Sequence, residues 1–397
     1  MNEFRYLRQF KFSPSSEFLN IASVVCSFFA ISKLCVLGLF NFFIVQIADN
    51  TIHSTLKMFD DITLDMVVFF QRCMEMLISI VCLLSNVYFA AKFSRISSFH
   101  VGFKRVLITM EIVMSLATLL HPLLHFIPKH LYSISNGRYI AASIFYAFTY
   151  LENVFIYFAN SKYLLIGLER RISYQHRHDY EQRGPEDANW LLLVNAGIWI
   201  VVAAVKCFWV FLLYDNLPID TRLECSFFLD TYASALLSSL SVAFAVYIFG
   251  VYELRRLLVF SKLNYYTSQT LSESIQIKQT SQIVTVLRPI IVAYGVAILV
   301  SLFSQVLWTY YHFIQGLPMT NQLVTVHVMN LYLLAAVYNL YSTFLVILRF
   351  KQVKKAFIKD VRNLFGLSIV STRVSLFTSP DCPKEHFQQL EKFWDKS

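Results

Sequence analysis

Residues 188–213 read ANWLLLVNAGIWIVVAAVKCFWVFLL, a run of 26 residues in which Lys206 is the only charged side chain. A helix that crosses the hydrocarbon core of a bilayer needs about 20 mostly apolar residues. Six further runs of this kind occur, and together the seven predicted spans cover residues 66–91, 101–125, 139–168, 188–213, 230–254, 289–311 and 325–348. The sequence therefore predicts an all-α fold, a bundle of seven transmembrane helices that forms one domain over residues 66–350.

Lysine and arginine are concentrated in alternate connections between these runs. Twenty lie in the connections of one side, a count that includes Lys162, and four lie on the other side: Lys57, Lys129, Arg138 and Arg222. Cytoplasmic loops carry the excess of basic residues close to membrane spans. We therefore expect a multi-pass protein of the cell membrane with its C-terminus in the cytoplasm and the loop 215–230 outside.

The overall composition excludes a water-soluble domain, because 56% of the residues are hydrophobic and only 15% are charged. The net charge of +9 is a sum over loops that face an anionic leaflet, so it gives no reason to expect a nucleic-acid partner. The chain contains no nucleophile elbow, phosphate-binding loop or dinucleotide fingerprint. We therefore predict neither an enzyme nor a bound cofactor.

The N-terminal segment, residues 1–65, contains an eighth apolar run over residues 18–47. It follows a basic cluster, and Lys33 interrupts its middle. Three interpretations fit this run: a retained extra helix or signal anchor, a cleaved signal peptide, and an amphipathic or partly buried segment.

The C-terminal segment, residues 351–397, begins with a different pattern. Apolar side chains recur at steps of three and four residues, at Phe350, Val353, Phe357, Val361 and Leu364, and basic side chains lie between them. This spacing predicts a basic amphipathic helix on the inner membrane surface, followed by a polar tail. A solvated helix that touches no membrane is the alternative.

The inner end of the third span carries the run Gly167-Leu168-Glu169-Arg170-Arg171, and Asp179-Tyr180-Glu181 follows it. An acid beside an arginine at a helix end can hold the guanidinium in a closed state and release it to a partner on opening. The alternative is an arginine that only anchors the helix at the lipid headgroups.

A second run, Leu271-Ser272-Glu273-Ser274-Ile275-Gln276, precedes the sixth span. It predicts the start of a helix that continues into the membrane through Leu287 and has a polar cytoplasmic extension.

These two runs, together with Phe99-His100 before the second span, resemble the nematode serpentine receptors of class epsilon, the Sre chemoreceptors. The resemblance covers roughly residues 66–350, and the chain departs from the family pattern at Gln279-Thr280 and Val101-Gly102-Phe103. It implies a G-protein-coupled chemosensory receptor that binds a small molecule from outside and passes the signal to a cytoplasmic heterotrimeric G protein. The residues that the resemblance implies for the switch and for G-protein coupling are Glu169, Arg170, Asp179, Tyr180, Glu181, Leu271, Ser272 and Gln276.

Ionisable side chains inside the predicted spans form a third feature. Glu111, Glu152 and Lys206 are costly in lipid and should face the bundle interior, where they either lock helices together or contact a ligand. The candidate ligand pocket contains Glu152 and Lys206, with Tyr146 and Tyr150 lining it. Tyrosines near a membrane interface also form the ordinary aromatic belt.

His121 and His125 are spaced as zinc ligands can be on one helix face. No further ligands stand at matching depth in another span, so no metal site is predicted, and the two side chains are expected to be interfacial histidines.

A ligand-gated cation channel of the insect gustatory-receptor type is the alternative function. That family ends its last span with Thr-Tyr, five residues and Gln-Phe, and this chain has only the partial match Ser342-Thr343-Phe344 with Phe350 at the end. Those channels also place the C-terminus outside the cell, which the basic tail of this chain opposes.

The orientation can be tested directly. An epitope placed after Ser397 should stain only after cells are permeabilised, because the twenty-to-four distribution of basic residues places the tail in the cytoplasm. Staining of intact cells would reverse the topology and favour the channel.

Overall fold

The structure of the protein is a computed structural model that describes residues 56–96, 99–176, 184–228, 233–264, 271–315 and 322–364. The apolar run 18–47 and the tail after residue 364 lie outside these ranges. The described residues form ten α-helices and no strand. The helices are α1 Leu56–Phe93, α2 Val101–His125, α3 Tyr139–Asn160, α4 Lys162–Gln175, α5 Glu186–Leu213, α6 Ile219–Phe227, α7 Ala233–Asn264, α8 Leu271–Gln315, α9 Gln322–Arg349 and α10 Lys351–Leu364.

The prediction of seven membrane-spanning helices is confirmed. Seven segments are long and apolar enough to cross a bilayer: Met66–Phe93, Val101–His125, Tyr139–Asn160, Glu186–Leu213, Leu236–Ser261, Glu273–Tyr310 and Val326–Arg349. Large apolar side chains cover their outward faces, as on α5, where Phe208 and Trp209 are about two-thirds exposed. Such a surface is suited to lipid.

Two spans differ from their predicted form. The third is not one helix over 139–168, because it breaks at Ser161 between α3 and α4. The hydroxyl of Ser161 donates to the carbonyl of Phe158 at 2.6 Å, a local bond that competes with the regular helix pattern. The sixth span belongs to the 45-residue helix α8, which is about 68 Å long and so extends well past a 30 Å hydrocarbon core.

The connectivity gives the bundle two distinct ends. The basic end is where α1, α4, α7 and α9 finish and α2, α5 and α8 begin, and the acidic end is the opposite one. Helix α1 packs against both α2 and α9, so the first and last spans are neighbours. Helices α3 and α4 contact α2, α5, α7 and, from α4, α8, which places the third span in the middle of the bundle.

A close helix contact fixes α4 against α7. Gly250 on α7 lies against the backbone of Tyr163 and Leu164, so that a Cβ at this glycine would lie 2.6 Å from the amide nitrogen of Leu164. Gly167, one turn further along α4, lies 3.5 Å from the carbonyl oxygen of Gly250 by the same measure. Small residues of this kind let membrane helices approach closely.

At the basic end, an inner aromatic cluster joins α1, α2 and α9. It consists of Phe89, Phe93, Phe99, Phe103 and Phe350, all buried. The ring of Phe93 lies 4.9 Å from the rings of both Phe89 and Phe350, and Phe99 lies 5.2 Å from Phe350. The cluster therefore fastens the end of the last span to the connection between the first two.

The glycine contact leads to a prediction with a matched control. Gly250→Ala should lower the thermal-unfolding midpoint of the purified protein strongly, because the new methyl group meets backbone atoms that cannot move aside. Gly197→Ala should leave the midpoint unchanged or raise it slightly, because nothing lies within 4 Å of its Cβ position and alanine favours helix. Equal midpoints for the two variants would contradict the close α4–α7 contact.

Candidate functional site

The break in the third span brings four consecutive side chains, residues 160–163, into contact with four other spans; we call them the break segment. Asn160 accepts a hydrogen bond from the hydroxyl of Tyr294 on α8 at 3.0 Å. Ser161 accepts one from the amide of Asn195 on α5 at 2.8 Å, and the indole of Trp199 donates to the same Asn195 at 3.0 Å. The two residues at the break thus bind the fourth and sixth spans.

The next two residues bind the second and seventh spans. The ammonium of Lys162 lies 2.7 Å from a carboxylate oxygen of Glu111 on α2 and 3.1 Å from the hydroxyl of Ser342 on α9. The hydroxyl of Tyr163 shares a hydrogen bond with that of Tyr338 on α9. A polar side chain in the membrane interior must find such partners inside the protein.

Lys162 was counted among the basic residues of the cytoplasmic connections. That assignment is wrong, because its side chain is buried inside the bundle. Its side chain is only 3% exposed, and that of Glu111 is 1% exposed. The two positions lie at similar depth, about 20 Å from the end of α4 and about 15 Å from the start of α2.

Further polar side chains extend this site to the first span. The amide of Asn86 on α1 donates to Ser115 on α2 at 2.6 Å and accepts from Thr343 on α9 at 2.8 Å. Asn339 on α9 donates to the same Ser115 at 3.3 Å. Interhelical hydrogen bonds in membranes contribute about 0.6–2 kcal/mol each. The polar core formed by these residues and the Lys162–Glu111 pair therefore holds the first, second, third and seventh spans together.

The predicted switch residues lie near the basic end of α4. The guanidinium of Arg170 donates to both carboxylate oxygens of Glu169 at 2.6 Å, so the pair is bidentate. Both side chains are buried, and Arg170 is fully so. The guanidinium also lies 4.9 Å from the ring centre of Phe103, within the range of a cation–π contact. Burial shows that Arg170 does not simply extend toward the headgroups.

The other predicted switch residues fall into three groups. Gln276 on α8 is 1% exposed and accepts a hydrogen bond from Ser173 on α4 at 3.1 Å, so it lies one helical turn from Arg170. Leu271 and Ser272 begin α8. Residues 179–181, which are Asp179, Tyr180 and Glu181, lie outside the described residues.

One carboxylate at the basic end was missed by the sequence analysis. Glu253 on α7 is 3% exposed and has Arg171 at 3.6 Å and Arg256 at 4.0 Å. It lies beside Gly167, two residues before Glu169 on α4.

The four residues of the predicted ligand pocket have different immediate contacts. Glu152 is 3% exposed on α3. Tyr150 donates to the carbonyl of Ile200 on α5 at 2.6 Å. Tyr146 is buried in an aromatic cluster at the acidic end with Leu124, Tyr132, Ala142, Phe145 and Phe228.

Lys206 has a role that its position in a span did not reveal. Its ammonium donates to the carbonyls of Ser226 at 2.8 Å and Phe228 at 3.3 Å, at the C-terminal end of α6. A cation at this end of a helix satisfies carbonyls and offsets the helix dipole. This contact had no signal in the sequence, because α6 was not predicted.

The other end of α6 is fixed by Asp220. Its carboxylate accepts from the hydroxyl of Ser133 at 2.8 Å and from the backbone amides of Ile134 and Ser135 at 2.7 and 3.3 Å. A hydrogen bond from the side chain of Ser135, together with those from Ser133 and the two backbone amides, favours the ionised form and lowers the pKa of Asp220 to about 2. Their contribution to stability is therefore fully present above the ordinary pKa of an aspartate and is lost as pH falls toward 2.

Of the two histidines of the second span, His121 is not interfacial as expected, since it is only 1% exposed, whereas His125 is half-buried in the last turn of α2. Its ring nitrogen lies 2.9 Å from a carboxylate oxygen of Glu75 on α1, and its ring stacks on Tyr332 of α9 at 3.4 Å. Within the described residues, no group of three His, Cys, Asp or Glu side chains is placed to hold a metal ion.

Comparison with known proteins gives no family: no protein-family model matches the chain, and no curated protein matches it. Its function is therefore argued from the residues and contacts described above.

The buried pair can be tested by neutralising its members. Lys162→Met or Glu111→Gln alone should lower the free energy of unfolding by roughly 3–5 kcal/mol, because each leaves one buried charge uncompensated. The double variant should recover much of this loss, and Lys278→Met, which removes an exposed cation of α8, should have little effect. Thermal and denaturant unfolding in detergent measure the differences; additive losses in the double variant would contradict the pairing.

Proposed function

We propose that the protein is a G-protein-coupled chemosensory receptor, which binds a small molecule at its acidic end and signals to a cytoplasmic G protein at its basic end. The observation that carries the proposal is the buried, bidentate Glu169–Arg170 pair at the end of the central span. A guanidinium held in this way is a strong hydrogen-bond donor whose release depends on the state of the bundle.

The packing at the basic end favours separation of the helices on one side of the bundle. The α1, α2 and α9 side is fastened by the inner aromatic cluster, whose separation would expose large apolar rings. The side formed by α4, α7 and α8 is different, because it buries polar groups: Ser173, Glu253, Glu273, Gln276 and Thr280. Water can satisfy these groups once the helices separate, so this seam costs less to open.

The length of α8 fits the same mechanism. About half of its 45 residues exceed what the hydrocarbon core requires, so the helix extends past the membrane at the basic end. A small rotation of such a helix about its membrane-embedded part moves its protruding turns by a larger distance. Gln276 lies in that extension and contacts α4 through Ser173, next to the Glu169–Arg170 pair.

The orientation of the bundle in the membrane determines which end a ligand can reach. If the tail is cytoplasmic, the acidic end faces outward, and a chemical ligand reaches the bundle there. The proposal includes chemosensory function, coupling to a G protein and the resemblance to the Sre receptors. The length and apolar surface of the seven spans indicate that a lipid bilayer surrounds them.

The proposal predicts opposite effects for the two switch residues. Glu169→Gln should raise basal signalling several-fold, because hydrogen bonds to a charged group contribute roughly 1.5–3 kcal/mol and their weakening frees Arg170. Arg170→Ala should lower signalling while the receptor still reaches the surface. A panel of G-protein dissociation sensors in transfected cells measures both effects at matched surface expression.

Lys278→Ala serves as the control, because Lys278 is an exposed cation of α8 at the same end. Its basal signalling should equal that of the native chain. If Glu169→Gln also shows native basal signalling, the pair is an anchor of the helix end and the proposed switch is wrong.

A further inference from the structure

One segment at the acidic end, residues 219–228, which we call the strap, inserts its C-terminal end between the third and fourth spans. Three consecutive carbonyls of the strap are bound by side chains from the membrane helices. Lys206 on α5 donates to those of Ser226 and Phe228, and the amide of Asn153 on α3 donates to that of Phe227 at 2.5 Å. Both partners come from predicted spans, and Lys206 belongs to the predicted ligand pocket.

The two phenylalanine rings of the strap lie among aromatic side chains of α2 and α3. The ring of Phe227 lies 5.1 Å from that of Tyr146. The ring of Phe228 lies 5.1 Å from His125 and 5.8 Å from Phe145. The strap thus presents carbonyls to polar donors and rings to an aromatic enclosure.

The strap does not satisfy the hydrogen-bonding capacity of two buried polar atoms beside Phe227. The hydroxyl of Tyr146 and the amide oxygen of Asn153 have no hydrogen-bond partner in the part of the chain that the structure describes. Tyr146 is 5% exposed and Asn153 is 1% exposed. A buried polar group without a partner costs about 1–3 kcal/mol. A molecule that also offered an N–H donor to Asn153 and a polar group to Tyr146 would fit these side chains better than the strap does.

We propose that the strap occupies the ligand site of this protein, and that the ligand is a neutral aromatic amide or short aromatic peptide that displaces residues 226–228. An amide supplies the carbonyl that Lys206 and Asn153 bind, the N–H that the oxygen of Asn153 lacks, and rings for the aromatic enclosure. Lys206 and Asn153 both donate to neutral carbonyl groups in the strap, so a neutral carbonyl is the ligand group that matches them. This inference rests on the proposed function only for its role in signalling.

The strap is suited to displacement because its two ends are held differently. Asp220 fixes its first turn to residues 133–135, and Lys129 pairs with Glu224 at 2.7 Å nearer the surface. The C-terminal end is held by the site itself. A ligand that competes for the site can therefore release that end while the first turn stays attached. A tethered competitor acts at an effective concentration of about millimolar, so it weakens ligand binding until it is removed.

The test uses the purified full chain in lipid nanodiscs and N-acetyl-phenylalanyl-phenylalanine amide as the probe. Phe227→Ala with Phe228→Ala should strengthen probe binding at least tenfold, because the strap no longer competes while the site residues stay intact. Asn153→Ala or Lys206→Met, added to these changes, should remove most of the gain. Phe208→Ala, an exposed aromatic of α5, is the matched control and should bind like the native chain. Calorimetry or the probe-induced shift of the unfolding midpoint measures binding.

Asp220→Asn provides a second route if the double alanine variant fails to fold, because it loosens the strap at its other end. No gain in probe binding for either folded variant, or an equal gain for Phe208→Ala, would overturn the proposal. The binding measurement needs no G protein, so a failure of the ligand site can be distinguished from a failure of the proposed receptor function. Probe binding that never activates a G protein contradicts the proposed receptor function and leaves the site standing.

Discussion

The buried ion pair between Lys162 and Glu111 is the interaction on which the rest of the bundle depends. A lysine and a glutamate are each expensive inside a membrane, and they are tolerated because they lie 2.7 Å apart and share the polar core. The pair fixes the third span against the second, and Ser342 adds the seventh. The pair also lies one residue from the break at Ser161. The central span is therefore most firmly bound where its helix is least regular.

This arrangement links the two ends of the protein through one short segment. Toward the acidic end, α3 carries Tyr146 and Asn153 to the strap. Toward the basic end, α4 carries Glu169 and Arg170, nine and ten residues after the first residue of the break segment. Because residues 160–163 contact the second, fourth, sixth and seventh spans, a change in the tilt of α3 must be accommodated at these contacts before it reaches α4. The break is thus the natural place for the two halves of the central span to move relative to one another.

The sequence predicted the spans well and the contacts poorly, for a physical reason. A transmembrane helix satisfies its own backbone hydrogen bonds, so its existence follows from local hydropathy. The pairing of Glu111 with Lys162, or of Glu75 with His121, joins residues 51 and 46 positions apart and leaves no local signal. The Glu169–Arg170 contact was foreseen because both partners are adjacent. Helix α6 was missed because it is short and polar, and the partners of Lys206 and Asn153 were missed with it.

Pulsed electron resonance on the protein in nanodiscs tests the coupling through the break segment most directly. Spin labels on unnatural amino acids at positions 105 and 278 report the separation of α2 and α8 at the basic end, and labels at 92 and 351 report the side held by the inner aromatic cluster. In Lys162→Met, we expect a longer and broader distance distribution for the first pair and an unchanged one for the second. Native distributions for both pairs in a folded Lys162→Met protein would contradict it.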